Sequence, residues 1–136
     1  MELFSYARHE TGLSPEEIRS ALLRSLEGQD LRRVLIIPPD FTRFHSNAGY
    51  ITNVYYHTLT ERGCEVDILL ALGTHEPVSR EQAAAMFGDI PYEKLIPHNW
   101  RTDVVKLGEV PAAYLEEITG GLWRDPVSVE INRRVM

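Results

Sequence analysis

The chain has 136 residues, of which 43% are hydrophobic and 25% charged, and a formal net charge of −6. These values predict a single globular domain over residues 1–136 and exclude the disordered and fibrous classes. The negative charge argues against a nucleic-acid partner, because binding the phosphate backbone needs clustered Lys and Arg. With one cysteine, Cys64, and no apolar run long enough for a leader or a bilayer span, we expect a soluble cytoplasmic protein with no membrane partner.

The first two predicted elements are a helix and a strand. Residues 14–27 carry a capping box, in which Ser14 caps the helix and Glu17 completes the motif, with Pro15 in the first turn. Residues 33–37 are a short apolar run, Arg-Val-Leu-Ile-Ile, that stops at Pro38. Such a run predicts a strand buried on both faces, at the centre of a parallel sheet.

A second helix and a second strand follow. Apolar and aromatic residues recur at helical spacing over residues 47–62, and Gly63 stands where a helix would end. Residues 65–72 form another apolar run, closed by Gly73. A strand, a helix and a strand in this order normally place the two strands parallel in one sheet, with ligands beyond their carboxyl ends. We therefore expect the loops 38–46 and 73–78 to lie side by side.

The remaining signals are weaker. Ser79 and Gln82 form a capping box for a short helix that ends near Phe87. Short strands are predicted at residues 95–97, 104–107 and 127–135, with helical structure within residues 111–120. The order of elements predicts the α/β class, as a Rossmann-like three-layer domain with a mainly parallel central sheet.

Polar side chains follow the first predicted strand, in the segment Asp40-Phe41-Thr42-Arg43. Asp can accept hydrogen bonds from a ribose, Thr can donate to a phosphate, and Arg binds a carboxylate or phosphate through two hydrogen bonds. The segment also leads into a helix, whose N-terminal amides favour anions. We therefore predict a ligand-binding loop. The alternative is an ordinary turn in which Asp40 makes local contacts and Arg43 forms a surface ion pair.

Two histidines follow the later strands. His75 is a candidate for proton exchange, because imidazole titrates near neutral pH, and the alternative is a structural or merely exposed histidine. His98 could add a wall to the same cleft, although a capped turn with a packed indole at Trp100 is the default interpretation. The sequence has neither the ligand spacing of a metal site nor the glycine-rich loop of a conventional NAD or ATP site.

In their order and spacing, these segments resemble a known family. The similarity is to the N-terminal domain of the nickel-pincer lactate racemase family, and it rests on Ile36 to Arg43, Ala48-Gly49, Leu70 to His75 with Glu76, and His98-Asn99-Trp100. The resemblance covers roughly residues 1–135. It implies an isomerase that interconverts 2-hydroxy acid stereoisomers by reversible hydride transfer, with a nickel-pincer nucleotide built on a pyridinium mononucleotide as cofactor.

The resemblance also implies roles for four side chains. Asp40 matches an aspartate near the cofactor, and Thr42, in the same DxTR motif, is assigned to cofactor binding. Arg43 matches the arginine that orients the substrate carboxylate. His75 matches one of two histidines that act as general acid and base on the substrate hydroxyl. None of these residues is assigned to a metal.

The family pattern continues beyond Met136. Its second catalytic histidine, the lysine that anchors the pincer, the histidine that ligates nickel and the C-terminal domain have no counterpart in this sequence. We therefore expect a domain fragment that is inactive alone, does not retain the cofactor, and self-associates through surface that would meet its missing domain.

Two questions stay open at the level of sequence. Phe44-His45 follows Arg43 where the family more often has proline, so neither the identity of the 2-hydroxy acid nor a role for His45 follows from the resemblance. The alternative function is a non-catalytic α/β module that binds a mononucleotide or a carboxylate.

Overall fold

The structure is a computed structural model that describes Ala7 and residues 10–136. The chain divides into two compact units, one comprising the residues up to Leu72 with Glu76–Pro97 and the other comprising Gly73–His75 with His98–Met136. No helix in the described part of the chain has the length and apolar character needed to cross a membrane.

A parallel sheet and three helices make up the first unit. In chain order the elements are α1 (Pro15–Ser25), β1 (Arg33–Ile36), α2 (Ala48–Glu61), β2 (Glu65–Leu70), α3 (Arg80–Phe87) and β3 (Leu95–Pro97). The strands lie in the order β1, β2, β3, and both neighbouring pairs are parallel. A helix therefore connects each strand to the next, which confirms the predicted Rossmann-like α/β class with a mainly parallel sheet.

Among the described residues, the prediction that the first strand is central was wrong. In the described sheet β1 lies at an edge and β2 in the middle. The apolar side chains of β1 are only half-buried, whereas Ile68 and Leu70 of β2 are 0% and 1% exposed. A short apolar run identifies a strand. Because an edge strand whose two faces are covered by helices or loops also needs apolar residues, the run does not show whether the strand is central or at the edge.

Both predicted capping boxes are present. The Ser14 hydroxyl accepts from the Glu17 N–H, and the Glu17 carboxylate accepts from the Ser14 N–H. Ser79 and Gln82 make the equivalent pair at the start of α3. Each box satisfies two backbone donors that have no partner within the helix, which is why α1 and α3 begin where the sequence predicts.

The core of the first unit is apolar. Its largest fully buried side chains come from α2, β2 and its exit, and α3: Phe87, Leu59, Ile68, Leu70 and Leu72. Burying a side chain of this size contributes about 1.5–3 kcal/mol. The carboxyl half of β2 is thereby held firmly, and with it the start of the turn that carries His75.

Helices α2 and α3 pack tightly together at Gly49. A Cβ atom at this position would lie 1.9 Å from the backbone oxygen of Met86. Only glycine fits such a contact. Since α2 begins directly after the loop that contains Arg43, this contact fixes where that loop must end.

The second unit contains an antiparallel strand pair. β4 (Val104–Val110) pairs with β5 (Val127–Asn132), with a register shift between Lys106 and Gly108, and α4 (Ala112–Ile118) connects them. β4 is longer than predicted. β5 is shorter than the predicted 127–135, because Arg133–Val135 form a 3₁₀ turn whose Arg134 N–H is capped by the Asn132 side chain.

Candidate functional site

The loop after β1 carries three of the four predicted site residues. Pairing with the neighbouring strand continues to its start, since the Ala71 N–H donates to the Pro38 carbonyl at 2.9 Å and Pro39 pairs with Ala71. Phe41–Ser46 then form 3₁₀ turns that are kinked at Arg43. Asp40, Thr42 and Arg43 therefore lie at the carboxyl edge of the parallel sheet, where ligands bind in open α/β folds.

Asp40 organises this loop. Its side chain is buried, with the residue 5% exposed, and Oδ1 accepts hydrogen bonds from Thr42 N at 3.0 Å and from Thr42 Oγ1 at 2.5 Å. The backbone N–H of Arg43 donates to the Asp40 carbonyl at 3.0 Å. These bonds cap the 3₁₀ turn and fix the direction in which Thr42 and Arg43 leave the backbone. Asp40 thus makes the local contacts of the turn interpretation, and its contact with a cofactor stays a prediction.

The Arg43 side chain extends from the same turn, and most of its guanidinium N–H groups make no hydrogen bond within the loop. Its Nη1 donates to Thr42 Oγ1 at 3.2 Å, and the side chain is exposed. Within the described residues it forms no ion pair with a carboxylate, unlike the surface pair of the alternative interpretation. A guanidinium presented in this way can receive a carboxylate or phosphate through two parallel hydrogen bonds.

His75 lies on an exposed turn after β2 and belongs to the second unit. The turn depends on Gly73, whose φ of 59° is a conformation that glycine adopts readily. The structure therefore gathers Asp40, Thr42 and Arg43 in one loop of the first unit. The approach of His75 to Arg43 stays a prediction.

His98 is half-buried and contacts a residue that the sequence did not single out. Its Nδ1 lies 2.9 Å from Nδ2 of Asn132, which is 6% exposed. The capped turn expected there is present, since the Arg101 N–H donates to Asn99 Oδ1 at 3.1 Å, but the indole of Trp100 is 40% exposed, with the Arg101 guanidinium 4.0 Å from its ring centroid. The alternating sequence pattern of β5 could not predict that Asn132 is buried, because the other polar residues on the same face of that strand are exposed.

A second polar cluster joins α2 to the end of α3. Asn53 donates to the Phe87 carbonyl at 2.8 Å and to Asp89 Oδ1 at 2.9 Å, and His57 Nε2 lies 2.8 Å from the same oxygen. The hydrogen bonds from Asn53 and His57 lower the pKa of Asp89 below its ordinary value. The polar groups of this cluster form hydrogen bonds with one another and with the end of α3. We therefore interpret the cluster as a helix cap that holds α3 against α2.

Comparison with known proteins gives a family match and two similar folds. The model of the lactate racemase N-terminal domain matches residues 14–118. A crystal structure of a Thermotoga maritima protein superposes with a TM-score of 0.78 and 23% identity, over 97% of this chain and 32% of that one. The lactate racemase apoprotein from Thermoanaerobacterium thermosaccharolyticum superposes with a TM-score of 0.57 and 18% identity, over 85% of this chain and 28% of that one. No curated protein sequence matches.

These identities show a shared fold, and the chain spans about a third of the length of the solved structures it resembles. The family model is the stronger finding, because it covers most of the chain and includes both the Asp40 to Arg43 loop and His75. The chain therefore belongs to the family of lactate racemase N-terminal domains.

Proposed function

We propose that this chain is the substrate- and cofactor-facing N-terminal domain of a nickel-pincer-dependent 2-hydroxy acid racemase or epimerase. The observation that carries the proposal is the ordered Asp40, Thr42 and Arg43 loop at the carboxyl edge of the sheet, within the region matched by the family model. The racemase activity itself is a property of the longer relatives, so for this chain it is a proposal.

Arg43 is the proposed clamp for the substrate carboxylate. Its backbone is fixed by the hydrogen bond to the Asp40 carbonyl, and its Nη1 is oriented by Thr42 Oγ1. A 2-hydroxy acid held by its carboxylate through two hydrogen bonds keeps C2 and its hydroxyl at a defined distance and orientation. The clamp therefore positions the reacting carbon without taking part in the chemistry.

His75 is the proposed general acid and base. Removing the hydroxyl proton from the substrate raises electron density at C2 and assists departure of the hydride, and returning the proton completes the reverse step. The nickel-pincer nucleotide, when bound, supplies the acceptor for that hydride. His75 lies on the exposed turn that follows Gly73.

The described residues fit part of the cofactor. The Thr42 hydroxyl donates its proton to Asp40 Oδ1, so its oxygen remains an acceptor that suits a ribose hydroxyl of a mononucleotide, with Asp40 holding it in place. No group of three or more His, Cys, Asp or Glu side chains that could hold a metal ion lies in the described part of the chain. The proposal gives this loop contacts with the nucleotide and gives it no metal ligand.

The remaining parts of the proposal concern partners and location. We propose that a further domain completes the site, that the isolated chain is inactive, and that it self-associates through apolar surface such as Leu122, which is 90% exposed. A reducing cytoplasm suits the single thiol of Cys64, which is not in a disulfide.

Racemisation tests the proposal. The longest polypeptide that contains this chain, loaded with the nickel-pincer nucleotide, should interconvert the enantiomers of a 2-hydroxy acid such as lactate. Arg43→Ala should raise KM by about tenfold to a hundredfold, the effect of losing a charge-assisted hydrogen bond. His75→Ala should lower kcat by about 10²–10⁴-fold, as for loss of a general acid or base.

Arg19→Ala is the matched control, because Arg19 is an exposed arginine on α1 and its loss changes the net charge equally. It should leave both constants unchanged. Full turnover in both Arg43→Ala and His75→Ala would contradict the proposal. Binding of lactate that depends on Arg43, without racemisation by the loaded protein, would instead support the non-catalytic binding module.

A further inference from the structure

His98 is held by a buried amide at the end of β5. It directly follows β3, and its Nδ1 lies 2.9 Å from Nδ2 of Asn132, the last residue of β5. Asn132 is one of few polar residues in the described part of the chain that are less than a tenth exposed. A buried amide must place each of its groups opposite a suitable partner, so its contacts define the state of the imidazole.

The orientation of the Asn132 amide is fixed by its second contact. Its Oδ1 accepts the Arg134 N–H at 2.9 Å and caps the 3₁₀ turn of Arg133–Val135. Turning the amide around would set its NH₂ group against that N–H, donor against donor. The NH₂ group must therefore face His98.

This orientation selects one tautomer of His98. An amide NH₂ only donates, so the Nδ1 that receives it must present a lone pair and carry no proton. The ring proton then sits on Nε2. Among the described residues no acceptor is bonded to Nε2, and no buried side-chain nitrogen there lacks a partner, so this N–H reaches solvent.

We propose that Asn132 is a positioning residue that keeps His98 in its Nε2–H tautomer, and that His98 donates this N–H to an oxygen of the bound 2-hydroxy acid. The ligand assignment rests on the proposed function. His98 and His75 belong to the same compact unit and follow neighbouring parallel strands, in which Leu70 pairs with Pro97. His75 exchanges a proton, whereas His98, with Nδ1 engaged by Asn132, acts as a fixed donor.

The tautomer is tested on the chain itself by nitrogen NMR of the imidazole. The wild-type protein should show a protonated Nε2 and an unprotonated Nδ1 at His98. Asn132→Asp keeps the cap on Arg134 but sets a carboxylate oxygen against the ring, so Nδ1 should gain a proton. Asn99→Asp is the matched control. It adds the same negative charge at the residue next to His98 in the sequence, and the Asn99 side chain makes its hydrogen bond to the Arg101 N–H and not to the imidazole ring. A protonated Nδ1 in the wild type, or an unchanged ring in Asn132→Asp, overturns the inference.

The donor role is tested by titrating lactate into the longest polypeptide that contains this chain, loaded with the nickel-pincer nucleotide. His98→Gln keeps an N–H near the position of Nε2 and should bind lactate within about threefold of the wild type, whereas His98→Phe should bind it about tenfold more weakly. Backbone amide spectra confirm that each variant is folded, and His98→Gln keeps the test decisive if the His98→Phe protein does not fold.

Equal affinity for lactate in all three proteins, or a loss of affinity in His98→Gln as large as in His98→Phe, overturns the donor role. Binding that needs Arg43 but not His98 overturns this inference alone, and absence of lactate binding overturns the proposed function as well.

Discussion

Gly49→Ala is predicted to destabilise the first unit severely. The added Cβ would lie 1.9 Å from the Met86 oxygen, and an ordinary contact begins at 3.4 Å, so α2 and α3 must separate by about 1.5 Å (3.4 minus 1.9) to admit it. The obstacle is backbone, which cannot rotate away as a side chain can. Overpacking usually costs about 1–3 kcal/mol, and we expect this substitution to lower the free energy of unfolding by about 3 kcal/mol or more.

Urea unfolding followed by circular dichroism measures this change. Gly108→Ala is the matched control, because a Cβ there meets nothing within 4 Å and its φ is not positive. The control should change the free energy of unfolding by less than about 1 kcal/mol. A Gly49→Ala protein as stable as Gly108→Ala would show that the close approach of α2 and α3 is wrong, and with it the position at which the Arg43 loop ends.

Three further predictions concern local contacts. Asp40→Ala removes both hydrogen bonds that cap the 3₁₀ turn and should lower the free energy of unfolding in urea by about 1–2 kcal/mol, whereas Asp40→Asn, which keeps an acceptor, should lose less. Asn53 and His57 lower the pKa of Asp89, so its stabilisation is present above the ordinary value of 3.8 and is lost as the pH falls through the lower folded value. Melting temperatures measured from neutral pH downward should therefore fall more steeply in the wild type than in Asp89→Asn, and parallel curves would contradict this. Asn47 has a φ of 65°, so Asn47→Ala should cost about 1 kcal/mol in the same urea assay while Asn47→Gly should cost nothing.

Features set by neighbouring residues could be predicted from the sequence. The capping boxes at Ser14 and Ser79 depend on side chains three residues apart, and both are present. The polar loop after β1 was predicted because Pro38 ends the strand and the next residues carry chemistry typical of a binding site. The family resemblance rests on the same local segments and is confirmed by the family match.

Features set by contacts between distant segments could not be predicted. The position of β1 at the edge of the described sheet depends on which strands pair with it, and an apolar run of four residues is the same at an edge or in the centre. Asn132 contacts His98, which is 34 residues away in sequence. The requirement for glycine at position 49 arises from a carbonyl on another helix. Such contacts become visible only when the chain is folded.

Calorimetric titration with lactate tests the central claim, that the Asp40 to Arg43 loop binds the carboxylate of a 2-hydroxy acid. In the longest polypeptide that contains this chain, the wild type and Arg19→Ala should bind lactate with equal affinity, and Arg43→Ala should bind it about tenfold to a hundredfold more weakly. Propan-2-ol, which has the hydroxyl but no carboxylate, should not bind detectably to any of the three proteins. Equal affinity for lactate in the wild type and Arg43→Ala would contradict the account.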